Sequence, residues 1–167
     1  MKFSTKTRYG IRAILEIAMN EKTKGILQKD IAENQEISYK YLDHIINSLK
    51  VAGLVARVAG RKSGYVLTRN PKEITIYDVH KAFEPGICIV DCLADNALCD
   101  RKGYCALNEF WEKLNNRIIE YFKSTTIRDL MDEQLKLDNL QGTRHAFDDT
   151  EKMPVEGKRN SLNSFNL

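Results

Sequence analysis

Two predicted helices joined by a short turn, within residues 28–52, constrain the fold of this chain most strongly. A short helix fits Gln28–Asn34, and a longer one fits Tyr39–Ala52 after Ser38, a residue type favoured at the N-cap. Gly53 then ends the longer helix. The apolar residues at three- and four-residue spacing along it are Leu42, Ile45, Ile46 and Leu49. A short helix, a tight turn and a longer helix indicate a helix-turn-helix.

The residues that follow predict a β-wing. Two short strands fit Leu54–Ala59 and Tyr65–Thr68, with residues 60–64 between them. Glycine at both ends of this connection lets the chain reverse, and Arg61 and Lys62 then lie at its tip. We therefore predict a mainly α protein, a winged helix-turn-helix with a two-stranded β-wing.

Further helices are predicted on either side of this motif. Ser4 can cap a first helix that runs to about Asn20, and Thr75 can cap another over Ile76–Phe83. A long amphipathic helix follows residue 105. Its apolar face consists of Leu107, Phe110, Trp111, Leu114, Ile118, Tyr121 and Phe122. A partner subunit is the simplest burial site for this face, which predicts a homodimer.

Charge is distributed unevenly along the chain. Residues 1–69 contain 13 Lys and Arg against 6 Asp and Glu, whereas the remainder contains 13 against 17. A basic helix-turn-helix favours double-stranded DNA as partner, with solvated surface charge and a protein-interaction module as alternatives. Candidate residues for contacting base edges or phosphates from the longer helix are Ser38, Tyr39, Lys40, Asp43, His44 and Asn47. Candidate phosphate contacts elsewhere are Lys2, Lys6, Arg8, Arg12, Arg61 and Lys62.

The four cysteines, Cys88, Cys92, Cys99 and Cys105, all fall in one polar stretch. Thiols stay reduced in the cytoplasm, so this clustering favours metal binding or redox chemistry over structural disulfides. Structural zinc sites usually contain a C-x2-C pair, and this stretch has none. Iron–sulfur clusters are held by thiolates and tolerate wider spacing. Spacing alone favours an iron–sulfur cluster and leaves zinc and thiol redox chemistry open.

These patterns predict four parts. Residues 1–84 are the winged-helix DNA-binding domain. Residues 85–106 are the cysteine loop, also called the cysteine segment, and residues 107–136 are the dimerisation helix region. Residues 137–167, which lose the apolar periodicity, are predicted to be a disordered tail.

Other classes of protein fit the sequence less well. The apolar run over Ile11–Met19 contains Arg12 and Glu16, so it is too short and too charged for a membrane span or a signal peptide. We therefore expect a cytoplasmic protein with no membrane partner. The sequence lacks a nucleophile–base set and a phosphate-binding loop, so an enzyme is not expected.

Several stretches resemble the IscR-like family of bacterial winged-helix transcription regulators. They are Phe3–Lys6, Arg8–Gly10, Tyr41–Leu42, Leu49–Val55, Gly60, Gly64–Tyr65, Ile74–Phe83, the last three cysteines and Thr125–Leu130. The resemblance covers about residues 1–135. It implies a homodimer that binds a DNA operator and ligates an iron–sulfur cluster, 2Fe-2S or 4Fe-4S, through Cys92, Cys99 and Cys105.

The chain departs from the family pattern beside the last cysteine. Cluster-binding members have a histidine three residues after it, and this chain has Asn108. Other members take an acidic ligand from the partner's first helix, where this chain has Arg8. The fourth iron site is therefore left open, or is filled by Cys88, Asn108, Glu109, water or a small thiol.

The DNA-contacting positions depart as well. Family members have a glutamate in the recognition helix at the position where this chain has Asp43. Many of them also have an arginine just before the wing glycine, where this chain has Ala59. Arg57 or Arg61 is expected to replace that arginine in effect.

The predicted function is a DNA-binding transcription regulator that senses iron–sulfur status, redox state or nitric oxide. Two alternatives keep the fold. In the first, the thiols sense oxidant without metal, with Cys88 as the resolving thiol. In the second, a cluster-free regulator acts through a partner protein.

Overall fold

The computed structural model describes residues 3–20, 25–60, 63–94, 99, 101 and 103–150, with side chains up to residue 140. The described residues form six α-helices and one antiparallel pair of strands, which confirms the predicted fold class. In chain order the elements are α1 (Thr5–Met19), α2 (Gln28–Asn34), α3 (Tyr39–Val51), β1 (Val55–Arg57), β2 (Tyr65–Leu67), α4 (Ile76–Lys81), α5 (Ala106–Ser124) and α6 (Ile127–Thr150). None of the described helices combines the length and the hydropathy of a membrane span.

The helix-turn-helix is formed by α2 and α3, as predicted. The Ser38 hydroxyl accepts a hydrogen bond from the Tyr41 amide at 3.4 Å and so caps α3. In the preceding turn Glu36 has a φ of 52°, a left-handed conformation that is uncommon outside glycine. The buried face of α3 consists of Leu42, Ile45, Ile46 and Leu49, each at most 1% exposed. These side chains pack mainly against α1, which orients the opposite face of α3 outward.

The wing strands are paired with Ala56 opposite Val66. They are shorter than predicted, although single backbone bonds extend the pairing at either end: the Thr68 amide donates to the Leu54 carbonyl at 3.2 Å, and the Val58 amide donates to the Gly64 carbonyl at 3.0 Å. The Leu54 amide donates to the carbonyl of Leu49, which closes the end of α3. On the other edge, Tyr65 exchanges two backbone hydrogen bonds with Ile26, at 3.1 and 2.8 Å. The wing is therefore joined to the segment that leads into α2.

The connection between α5 and α6 returns to α4. The Ile127 amide donates to the Ile74 carbonyl at 2.8 Å, and the Ile76 amide donates to the Thr125 carbonyl at 2.9 Å. Ile127 is fully buried in the same core as α1 and α3. Both ends of the cysteine segment, at α4 and α5, therefore belong to the body of the winged helix.

The chain divides into two compact units, residues 1–133 and 134–167. Within the second unit, α6 continues to Thr150, where the sequence predicted a disordered tail from residue 137. The side-chain amide of Gln134 donates to Asp138 at 2.8 Å, a contact one helical turn apart that favours a polar helix. The rest of the predicted tail, 151–167, lies outside the described residues.

Candidate nucleic-acid interface and cysteine segment

The predicted DNA-contacting residues of α3 lie on its outer face. Tyr39, Lys40, Asp43 and His44 are exposed. Ser38 is exposed too, and its oxygen already accepts the capping bond of α3. The helix therefore presents a polar surface of the kind that enters a major groove.

Basic residues of α1 lie at one side of this surface. Lys6 lines a cleft of about 400 Å³ together with Tyr41, His44, Ile45, Asn47, Ser48 and Phe83. Arg8 is exposed, whereas Arg12 is engaged with Gln35 through its Nε at 3.0 Å and through a second bond to the Gln35 carbonyl. Lys6 is therefore brought next to the recognition helix, while Arg12, which is also exposed, has its guanidinium bonded to Gln35. Lys2, Arg61 and Lys62 lie outside the described residues.

A polar cluster that sequence reasoning missed connects α2, α3 and the wing. The Gln28 amide donates to Asp43 Oδ1 at 3.2 Å, and the Tyr65 hydroxyl donates to Gln28 Oε1 at 3.4 Å. Burial raises the pKa of the Tyr65 hydroxyl, Arg57 opposes this effect, and Asp43 and Tyr39 add to it. Three predicted DNA-contacting residues on two elements, Tyr39 and Asp43 on α3 and Arg57 on β1, therefore influence one partly buried hydroxyl.

A buried histidine anchors the start of the cysteine segment to the winged helix. His80 is 4% exposed, and its Nε2 lies 3.1 Å from the Gly86 carbonyl. Because a carbonyl only accepts, Nε2 carries the proton, and Nδ1 is left to accept from the Thr7 hydroxyl at 3.4 Å. Thr7 Oγ1 lies 3.2 Å from Ser4 Oγ, the N-cap of α1. The segment is thus linked through His80 to the beginning of α1.

A buried asparagine anchors the same segment to α5. Asn115 is 9% exposed, and its amide donates to the Ile87 carbonyl at 3.0 Å while its oxygen accepts from the Ile89 amide at 3.1 Å. One side chain therefore satisfies the backbone on both sides of Cys88. The hydrogen bonds of His80 and Asn115 fix residues 86–89 between α4 and α5.

We expect Asn115→Ala to destabilise the protein by about 2–4 kcal/mol, because one half-buried donor, the Ile89 amide, and one buried acceptor, the Ile87 carbonyl, lose their partner. Thermal unfolding would measure the loss, and hydrogen exchange would show faster exchange of the Ile89 amide. Asn116→Ala is the matched control, since Asn116 is the exposed neighbour on the same helix. If both variants unfolded alike and the exchange at Ile89 were unchanged, the anchor would be unimportant.

The four thiols differ in their surroundings, and none is in a disulfide. Cys88 is exposed, donates to the Val90 carbonyl at 3.1 Å and lines a cavity of about 240 Å³ with His80 and Glu84. Cys92, in a 3-10 turn that packs against α5, and Cys105, the N-cap of α5, are half-buried. Cys99 is half-buried as well.

The donor chemistry of this segment fits an iron–sulfur cluster. Within the described part of the chain, no three His, Cys, Asp or Glu side chains lie close enough together to hold a metal ion. The thiols of Cys92, Cys99 and Cys105 are nevertheless free of disulfides, and Asn108 Oδ1, one turn beyond Cys105, is buried without a hydrogen-bond partner. An acceptor in this condition needs a donor or a cation. Glu109, the other candidate ligand on α5, has a lowered pKa because Lys113 donates to its carboxylate.

The winged helix with an outward polar recognition helix defines a class of proteins, the winged-helix transcription regulators. A family model described as Rrf2, iron-dependent transcriptional regulator, matches residues 3–133. The chain belongs to the Rrf2 family of transcriptional regulators. The predicted resemblance to IscR-like regulators is confirmed. These relatives are named as regulators and not as enzymes, which also confirms that the chain is not an enzyme.

Three relatives illustrate the similarity. Protein rrf2 of Nitratidesulfovibrio vulgaris is 34% identical over 131 residues, which cover 78% of this chain and 87% of that protein. The structure of CymR from B. subtilis, described as the global cysteine regulator, is 32% identical with a TM-score of 0.66 and covers 80% of this chain and 98% of CymR. The structure of IscR from T. potens is 30% identical with a TM-score of 0.65 and covers 80% of this chain and 88% of that one.

Proposed function

We propose that this protein is a homodimeric, DNA-binding regulator that senses iron–sulfur status, redox state or nitric oxide in the cytoplasm. It does so through an iron–sulfur cluster held by Cys92, Cys99 and Cys105. Two findings support the proposal: the description of the matching family as iron-dependent, and the likeness to a protein named IscR.

The observation that carries the proposal is the anchoring of the cysteine segment. His80 holds its start against α4 and α1, and Asn115 holds the same residues against α5. A cluster bound by three thiolates would supply a group that oxidants and nitric oxide destroy. A change in the segment then acts on α1, which carries Lys6, and on α5, which carries the exposed apolar face.

The dimer would bring two recognition helices to one operator. Leu107, Phe110, Leu114 and Tyr121 are 39–68% exposed on α5, so the described chain leaves this face unpaired. Pairing two copies through α5 buries it and presents two α3 helices to successive major grooves about 34 Å apart. Asp43 on α3 would accept a hydrogen bond from a cytosine amino group, because a carboxylate only accepts.

We expect Lys6→Ala to weaken binding to all DNA sequences similarly and to reduce the slope of log K against log salt by about one. The reason is that an exposed lysine beside α3 neutralises one phosphate without reading a base. Titration of a specific and a random duplex at several salt concentrations measures both effects. Lys113→Ala removes the same charge from α5, where Lys113 is paired with Glu109, and is the matched control. A loss confined to one sequence would instead make Lys6 a base-reading residue.

The cluster is tested by purifying the protein without oxygen. We expect stoichiometric iron and sulfide, visible absorption, and EPR and Mössbauer spectra that distinguish 2Fe-2S from 4Fe-4S. DNA affinity is then compared between cluster-loaded and cluster-free protein, and we expect the two to differ. Protein without iron, sulfide or colour would contradict the cluster.

A cluster-free regulator is the second candidate, and two observations favour it. The structural likeness to CymR is as close as that to IscR, and the Cys88 thiol is exposed outside the proposed ligand set. The thiols would then sense oxidant directly, or the protein would act through a partner protein. Peroxide that changes the DNA affinity of metal-free protein, while reconstitution changes nothing, would identify thiol sensing. A partner that co-purifies in stoichiometric amount, together with weak intrinsic DNA binding, would identify the other mechanism.

A further inference from the structure

We propose that Gln28 is a positioning residue for sequence recognition: it holds Asp43 of the recognition helix in one orientation, and Tyr65 of the wing holds Gln28. The inference rests on the proposed DNA binding and adds to it which residues fix base preference. Gln28 is the first residue of α2, a helix that contributes no predicted DNA contact.

The geometry is a chain of hydrogen bonds across three elements. Gln28 Nε2 lies 3.2 Å from Asp43 Oδ1, and the Tyr65 hydroxyl lies 3.4 Å from Gln28 Oε1. Tyr65 itself is fixed, because it is 8% exposed, its backbone amide and carbonyl are both bonded to Ile26, and it lies opposite Arg57 of β1. Tyr65, the most firmly held of the three hydrogen-bonded residues, is thus buried, and Asp43 is the most exposed of them.

Donor and acceptor chemistry fixes which group donates and which accepts in each of these two hydrogen bonds. The Asp43 carboxylate only accepts, so Gln28 must turn its amide nitrogen toward it. The amide oxygen then faces Tyr65, whose hydroxyl must donate. The pKa of that hydroxyl is raised mainly by burial, so the proton it donates is retained at neutral pH. Reversing the amide would oppose Gln28 Oε1 to Asp43 Oδ1, two acceptors.

This arrangement leaves Asp43 with one oriented carboxylate oxygen that can accept a hydrogen bond from a base. One carboxylate oxygen of Asp43 is bonded to Gln28, and no hydrogen bond involves the other oxygen among the described residues. An oriented acceptor discriminates more strongly than a freely rotating one, because less side-chain entropy is lost when the base binds. Arg57, on β1, lowers the pKa of the Tyr65 hydroxyl whereas Asp43 raises it, so the guanidinium of Arg57 also acts at this hydrogen-bonded cluster.

The test is selection of duplexes from a randomised library, followed by sequencing, for the full-length wild type, Asp43→Ala, Gln28→Ala and the double variant. We expect the wild type to prefer cytosine at one position in each half-site, and Asp43→Ala to lose this preference. Gln28→Ala is expected to reduce it about fivefold while the affinity for duplexes without the preferred cytosine stays within about twofold. The double variant should match Asp43→Ala, since Gln28 acts through Asp43.

Two further variants separate positioning from folding. Tyr65→Phe keeps the buried ring and removes the donor, and it should reduce the same preference. Gln28→Glu keeps the size and places a second carboxylate against Asp43, and it should reduce the preference at least as much as Gln28→Ala. Gln134→Ala removes a glutamine–aspartate hydrogen bond from α6 and is the matched control. Melting temperatures near wild type are expected for Gln28→Ala and Gln28→Glu.

The outcomes are distinguishable. A wild type that enriches no duplex overturns the proposed DNA binding and this inference with it. If the wild type selects an operator, and Gln28→Ala and Gln28→Glu both show the same base preferences as the wild type, the inference alone is overturned. An added loss at a second base position in the double variant also overturns it, since Gln28 would then read a base directly.

Discussion

Cys99→Ala protein purified without oxygen is expected to contain little iron or sulfide and to lack visible absorption, while it still folds and dimerises. The proposed cluster has three protein thiolates, and removal of one leaves two. Asn108, at the position that follows Cys105 by one turn, offers only a neutral amide oxygen, a weaker ligand than a thiolate. Metal and sulfide analysis, visible spectroscopy and size-exclusion chromatography measure these outcomes.

Cys88→Ala is the comparison within the same segment. Its thiol is exposed, bonds to the Val90 carbonyl and faces the cavity at His80, so we expect this variant to keep its cluster. Full cluster content in Cys99→Ala would show that the ligands are assigned wrongly. Loss of the cluster in both variants would make Cys88 the fourth ligand.

The sequence was sufficient for the winged helix because its signals are local. Ser38 and Thr75 cap the helices they were expected to cap, and the apolar spacing of α3 identified its buried face. Such features depend on residues three or four apart. The left-handed turn residue Glu36 was not predictable in the same way, since glycine or asparagine is usual at such a φ.

The anchors of the cysteine segment could not be predicted. Asn115 bonds to backbone groups 26 and 28 residues away, and His80 bonds to a hydroxyl 73 residues away in the sequence. A polar residue on an amphipathic helix is ordinarily interpreted as solvent-exposed, and only the fold shows that Asn115 faces a backbone segment. The same holds for Arg12, a predicted phosphate contact that the fold places against Gln35.

The tail prediction differed from the structure for a related reason. The residues after 137 lack an apolar face, which is typical of disorder in an isolated segment. They continue a helix whose start is fixed elsewhere, because Thr126 and Asp129 form reciprocal capping bonds and Ile127 is buried. Extension of a helix that already exists is easier than its nucleation.

Phe110→Glu is expected to convert the proposed dimer into a monomer and to lower operator affinity about 100-fold or more. Phe110 is 54% exposed in the middle of the apolar face of α5, and a carboxylate buried there against a second copy would lose its hydration without a partner. A monomer engages one half-site at a time and loses the advantage of linked binding.

Sedimentation velocity measures the mass, and titration of the selected operator measures the affinity. Asn116→Glu introduces the same charge on the opposite face of α5, so it is expected to leave both properties unchanged. If Phe110→Glu sedimented as a dimer, the α5 face would not be the subunit interface. If it became a monomer with undiminished operator affinity, one winged helix would suffice for recognition, and the two-half-site arrangement would be wrong.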